Sequence, residues 1–81
     1  MVRIPEIYEA AKRCQVSKVY AYHICEKIER DKIDWTNLKP FDMADHGFGP
    51  VDCYIIREAQ KIFWINEGYW SDYYGKHYPI T

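Results

Sequence analysis

IPEIYEAAKRCQVSKVYAYHICEKIER, residues 4–30, is the stretch on which the fold of this chain turns. Its spacing predicts two amphipathic helices joined by a tight corner. Pro5 suits a first helical position, because its φ is already helical and its missing N–H would have no partner there. Glu6 and Glu9 follow in the first turn, where the positive end of the helix dipole favours carboxylates. At about 100° per residue, Ile7, Ala10, Ala11 and Cys14 share one face while Glu9, Lys12 and Arg13 share the other. Ser17 is placed to cap a second helix by accepting one of its first N–H groups. That helix has a buried stripe of Ala21, Ile24, Cys25 and Ile28. Its outer face carries Val19, Tyr22, His23, Glu26 and Arg30. Alanines on both helices let the axes approach, and the corner Gln15-Val16-Ser17, with Val16 turned inward, has the length of a helix-turn-helix.

The whole chain is 81 residues, enough for one domain, and 48% of it is hydrophobic. Leu38 is its only leucine, so isoleucine and the eight tyrosines must do the apolar packing. Cys14, Cys25 and Cys53 cannot all pair with one another, share no metal-binding spacing, and fall on faces expected to be buried. Small core residues in a reducing cytoplasm are the reading that follows. No apolar signal core opens the chain and no run approaches membrane-spanning length, so a soluble intracellular protein away from membranes is expected. The net charge is −1, unevenly spread: residues 1–40 hold eight Lys and Arg against six Asp and Glu, while residues 41–81 hold three against six. A slight positive excess therefore sits with the two helices. Phosphate binding depends on such charge, so a DNA-binding role calls for cooperation, an oligomer or a partner.

Beyond the corner, Ile33 and Trp35 alternate as core anchors, and Lys39 is pushed into extended backbone by Pro40. Residues 41–56, FDMADHGFGPVDCYII, allow two readings. Asp45 to Pro50 is dense in turn formers, and Val51 to Ile56 is β-branched and aromatic. These features favour a hairpin over 39–56, pairing 39–43 with 51–56 across the loop. The alternative is one helix from Pro50 to Glu67, with Val51, Ile55, Ala59 and Ile62 on one face. Arg57 to Glu67 is helical either way, with Gly68 as its stop. Ala59, Ile62, Phe63 and Asn66 face one side of it, and Lys61 and Trp64 the other. The last thirteen residues hold Tyr69, Trp70, Tyr73, Tyr74 and Tyr78; Gly75 and Pro79 argue against regular structure there. This tail, 69–81, is expected to pack over Trp64 or to meet another chain, leaving 1–68 as the folded domain.

The string AKRCQVSKVYAYHI resembles the helix-turn-helix of the MerR and excisionase families, with Ala11, Val16, Ser17 and Ile24 in their expected places. Gln15 stands where those families favour glycine, and Ala21 where a larger aliphatic is usual. The resemblance implies a mainly α winged helix-turn-helix with a small β-hairpin, over roughly residues 4–67. It further implies a small phage or mobile-element protein of excisionase or regulator type, bound to double-stranded DNA. Lys18, Tyr22, His23, Lys27 and Arg30 would then meet phosphates and base edges from the second helix. His46 and Phe48 would form the tip of a wing beside the DNA backbone. Glu26, in the middle of the same face, works against phosphate. The alternative is a small viral protein that binds or blocks another protein, or its own copy, through aromatic surface. Trp64, Tyr69, Trp70, Tyr73 and Tyr74 are its candidate contacts, because aromatic side chains dominate binding hot spots. No catalytic constellation is legible: His23, His46 and His77 lie on different elements. Neither an enzyme nor a cofactor is expected.

Overall fold

Among the described residues, three of the four α-helices begin on a proline, and the chain is best followed from one such start to the next. The computed structural model describes residues 3–80; Met1, Val2 and Thr81, at the outer ends of the expected domain and tail, lie outside the described residues. Helix α1 spans Pro5–Arg13 and α2 spans Lys18–Asp31, as the periodicity requires. A 3-10 turn follows at Trp35–Asn37, then a short helix α3 at Pro40–Asp45 and a long helix α4 at Pro50–Asn66. Strands β1 (Tyr69–Ser71) and β2 (His77–Pro79) close the chain as an antiparallel hairpin with Trp70 opposite Tyr78 and Ser71 opposite His77.

The α1–α2 corner closes by a defined pattern of backbone hydrogen bonds. Gln15 takes the left-handed conformation at φ 58°. Its N–H reaches the Lys12 carbonyl at 3.1 Å, and that of Val16 reaches the Ala11 carbonyl at 3.0 Å. This is a Schellman closure with glutamine in the position glycine normally takes. The hydroxyl of Ser17 then accepts the Val19 N–H at 3.2 Å and starts α2. Lys32, at φ 53°, ends α2 in the same way, with the Ile33 N–H on the Ile28 carbonyl at 3.0 Å.

The 39–56 hairpin expected above does not form, and its loop is instead a junction between two helices. Gly47, at φ 84°, ends α3: its N–H bonds the Ala44 carbonyl at 2.9 Å and the Phe48 N–H bonds the Met43 carbonyl at 3.1 Å. Gly49 precedes α4, Pro50 is its first residue, and the Asp52 carboxylate accepts the Gly49 N–H at 3.3 Å. Glycine just past one helix and proline just inside the next is the asymmetry of helix ends. It outweighs the β preference of Val51 to Ile56, because tertiary burial of Ile55 and Ile56 on a helical face supplies more than propensity takes away. The wing is therefore absent among the described residues, and the only sheet is the hairpin at 69–79, where the tail was expected to lack regular structure.

Helix α1 lies at the centre, packed against α2 on one side and α4 on the other. Ala10, Ala11, Ala21 and Ala59 are all buried there, and their small side chains permit the close crossings. Ile7, Ile24, Cys25, Ile28, Leu38, Met43, Phe48, Ile55 and Ile56 complete the core, with Ile33 and Trp35 packed at its edge. Gln60 is the largest buried polar side chain, at 0% exposure. Its amide nitrogen donates to the Trp35 and Leu38 carbonyls at 2.8 and 2.7 Å, and its oxygen accepts from Arg57 Nη1 at 2.7 Å. These bonds offset the desolvation of the buried amide, and they stitch the 3-10 turn to α4.

Candidate interaction surfaces

Two surfaces hold the residues that sequence reasoning singled out. The first is the outer face of α2. Lys18 and His23 are exposed on it. Tyr22 is half-buried beside His23, ring centroids 5.6 Å apart, and a hydrogen bond with Glu26 raises its pKa above the ordinary phenol value. Lys27 is turned toward the α3–α4 junction, its Nζ 5.5 Å from the Phe48 ring. Arg30 Nε lies 3.3 Å from the Asp31 carboxylate. Four of the five candidate DNA contacts thus have side-chain neighbours within the chain, His23 through the ring of Tyr22, while Lys18 and His23 remain solvent-exposed. The two residues expected at a wing tip are separated by the fold. His46 is exposed at the end of α3, whereas Phe48 is buried in the core.

The second surface runs along the outside of α4 to the hairpin. A helix beginning at Pro50 brings Tyr54, Arg57, Glu58 and Lys61 onto one outer stripe, three to four residues apart. Tyr54 is 60% exposed, Tyr73 66% and Trp70 50%. Tyr54, Arg57 and Tyr73 line two adjoining shallow clefts. One, of about 190 Å³, opens toward Pro40 and Met43, and the other, of about 280 Å³, opens toward Lys61 and Trp70. Arg57 holds this surface together. It donates from Nη1 to Gln60 and from Nη2 to the Asp72 carbonyl, and its guanidinium lies 5.9 Å from the Tyr73 ring. Tyr74 meets Tyr73 edge-on at 5.4 Å, and Tyr78 packs on Trp70 across the strands at 5.8 Å.

Trp64 differs from the other aromatic candidates, because the tail covers it. Its indole N–H donates to the Thr36 carbonyl at 2.8 Å, and His77 stacks on it with centroids 3.8 Å apart. Tyr69 and Phe63 close its edges at 5.8 and 5.0 Å. Of the two alternatives expected for the tail, packing over Trp64 or meeting another chain, the structure displays the first, which leaves Trp64 covered and Tyr54 in the open position. Sequence reasoning missed Tyr54 because it read 51–56 as a strand, and a helix begun at Arg57 left that residue without Tyr54 on its stripe. The signal available for them was the Gly-Phe-Gly-Pro junction.

The cysteines offer little reactivity. All three are free, and burial raises the pKa of Cys25, Cys53 and Cys14, holding them as thiols. Among the described residues, no group of three or more His, Cys, Asp or Glu side chains could hold a metal ion, and no helix is long and apolar enough to cross a membrane. The chain matches no protein-family model, no curated protein and no solved structure.

Proposed function

We propose that this protein is a small binding module that engages another protein through the aromatic surface of α4 and the C-terminal hairpin. The observation that carries this reading is the contiguous set of Tyr54, Trp70 and Tyr73, each at least half exposed and grouped around a held arginine. Tyr, Trp and Arg are the residues that dominate binding hot spots, and apolar surface left open in a patch marks an interaction site. Their rigid rings lose little conformational entropy on contact. The shallow clefts on either side of Arg57 suit the ridges of a protein surface.

DNA recognition is the second reading, favoured by the helix-turn-helix closure at Gln15 and by the exposure of Lys18 and His23. It rests on α2, since the hairpin expected at 39–56 to add backbone contacts does not form among the described residues. Site-specific photo-crosslinking in the native host distinguishes the two. A benzophenone side chain at Tyr73 is expected to yield protein adducts, and one at His23 is expected to yield neither protein nor DNA adducts. DNA adducts from position 23, with none from position 73, would overturn the protein-binding reading. Light scattering run alongside identifies the case in which the partner is a second copy.

A further inference from the structure

We infer that the cleft at the α1–α2 corner binds a phosphate-bearing ligand with a flat apolar body, a nucleotide by chemical class. The cleft measures about 570 Å³ and is bounded by Arg3, Tyr8, Lys12, Val16 and Lys18. That volume falls in the range of small-molecule sites, roughly 300–1,000 Å³, which pair an apolar floor with a few placed polar groups. Here the floor is Pro5, Ala11, Val16 and the half-buried ring of Tyr8.

The rim is cationic. Arg3, Lys12 and Lys18 converge on the opening from three places: the lead-in to α1, its last turn, and the first residue of α2. The one carboxylate on the rim, Glu9, is paired with Arg13 at 3.4 Å. Among the described residues, none of the three cations lies within ion-pair distance of a carboxylate. The Arg3 guanidinium sits 5.0 Å from the Tyr8 ring centroid, a stacking contact that fixes the fork while leaving its edge free to donate. Lys18 also places the positive end of α2 at this mouth. Three positive charges beside an aromatic floor match a phosphate joined to a planar ring. The site is separate from the aromatic surface and does not depend on it.

The same chemistry is offered by a free nucleotide and by a nucleotide within a DNA strand. The test therefore titrates the full chain, at low salt, with ADP, with inorganic phosphate and with a short DNA duplex, following amide chemical shifts. ADP is expected to move Tyr8, Lys12, Val16 and Lys18 together. The double substitution Lys12→Glu, Lys18→Glu is expected to weaken binding by about tenfold or more, as loss of two charge-assisted contacts requires. Lys12→Arg with Lys18→Arg should retain it. Tyr8→Ala should weaken ADP but not inorganic phosphate, and Tyr54→Ser with Trp70→Ser should leave ADP binding unchanged. Duplex that moves these amides where ADP does not would assign the phosphate to a nucleic-acid strand and support the site. No response of these amides to any probe, or equal binding by the charge-reversed chain, would overturn the inference. Inorganic phosphate binding as tightly as ADP would remove the flat body from it.

Discussion

Gln15 and Gln60 are two glutamines under opposite constraints, one strained and exposed, the other relaxed and buried. A side chain at φ 58° crowds its own carbonyl, at a cost of roughly 1–2 kcal/mol that glycine avoids. Part of that relief is cancelled because glycine also loosens the unfolded chain. Gln15→Gly is expected to stabilise the protein by about 0.5–1 kcal/mol in urea denaturation, and Gln15→Val to destabilise it. Gln60 presents the reverse case. Gln60→Met preserves volume but leaves the Leu38 carbonyl and Arg57 Nη1 without the amide and takes one of two donors from the Trp35 carbonyl. A loss of about 2–3 kcal/mol is expected, since groups left bare after folding bear the full desolvation penalty. An unchanged midpoint for Gln60→Met would mean that the bridge contributes nothing.

Elements couple most closely where the hairpin docks on α4. His77 Nε2 meets Asn37 Oδ1 at 3.1 Å, and the Asn37 amide nitrogen is committed to the Asp34 carboxylate at 2.8 Å. This orientation places the proton of the neutral imidazole on Nε2. Among the described residues, its Nδ1 is enclosed without a hydrogen-bond partner, as is the Ser71 hydroxyl on the opposite strand. Burial and the Arg57 cation lower the pKa of His77 from its ordinary 6.5, against the pull of Asp72. The folded state thus binds this proton more weakly than the unfolded chain does. Stability is full above 6.5 and is lost as pH falls below it toward the lowered value. Emission from Trp64, followed from about pH 8 to about pH 5, should report the hairpin loosening on acidification. His77→Gln keeps a donor for Asn37 and removes the titration, so its pH response over this window should be flat. Trp64→Ala removes the surface on which the hairpin rests. It should cost about 2–4 kcal/mol, below the full-burial range because the ring is only partly enclosed.

The molecule as a whole separates what holds it together from what it shows to solvent. The core draws on α1, α2, α4 and the α3–α4 junction, while Tyr54, Trp70 and Tyr73 stay outside it. Replacing all three with serine should therefore change the denaturation midpoint by little more than exposed sites usually do, about 0.5 kcal/mol each. With the benzophenone placed at the neighbouring exposed Tyr74 instead, the protein adducts expected from the hairpin should be lost in this variant. A large loss of stability would show these rings to be structural and would remove the reason for calling them a binding surface.

Local chemistry decided a good deal of this protein before any packing was considered. Pro5, Ser17 and the stripes Ile7-Ala10-Ala11 and Ala21-Ile24-Cys25-Ile28 wrote the two-helix corner. Helix ends and amphipathic faces depend on residues at most four positions apart. Gln15 stands in a glycine place, and its left-handed backbone fits that place. For residues 51–56 local propensity favours a strand while the face pattern also allows a helix, and the favoured strand does not form. Burial of Ile55 and Ile56 against α1, more than forty positions earlier in the chain, made the choice. The same choice determined the surface. A helix from Pro50 aligns Tyr54 with Arg57 and sets Trp70 and Tyr73 beside them, a grouping that no local pattern encodes. Likewise the cleft of Arg3, Lys12 and Lys18 exists because the corner folds three separated cations toward one opening. Short-range preference names the elements; only the packing of one element on another, driven by burial of apolar area, determines which side chains remain outside and which of those become neighbours.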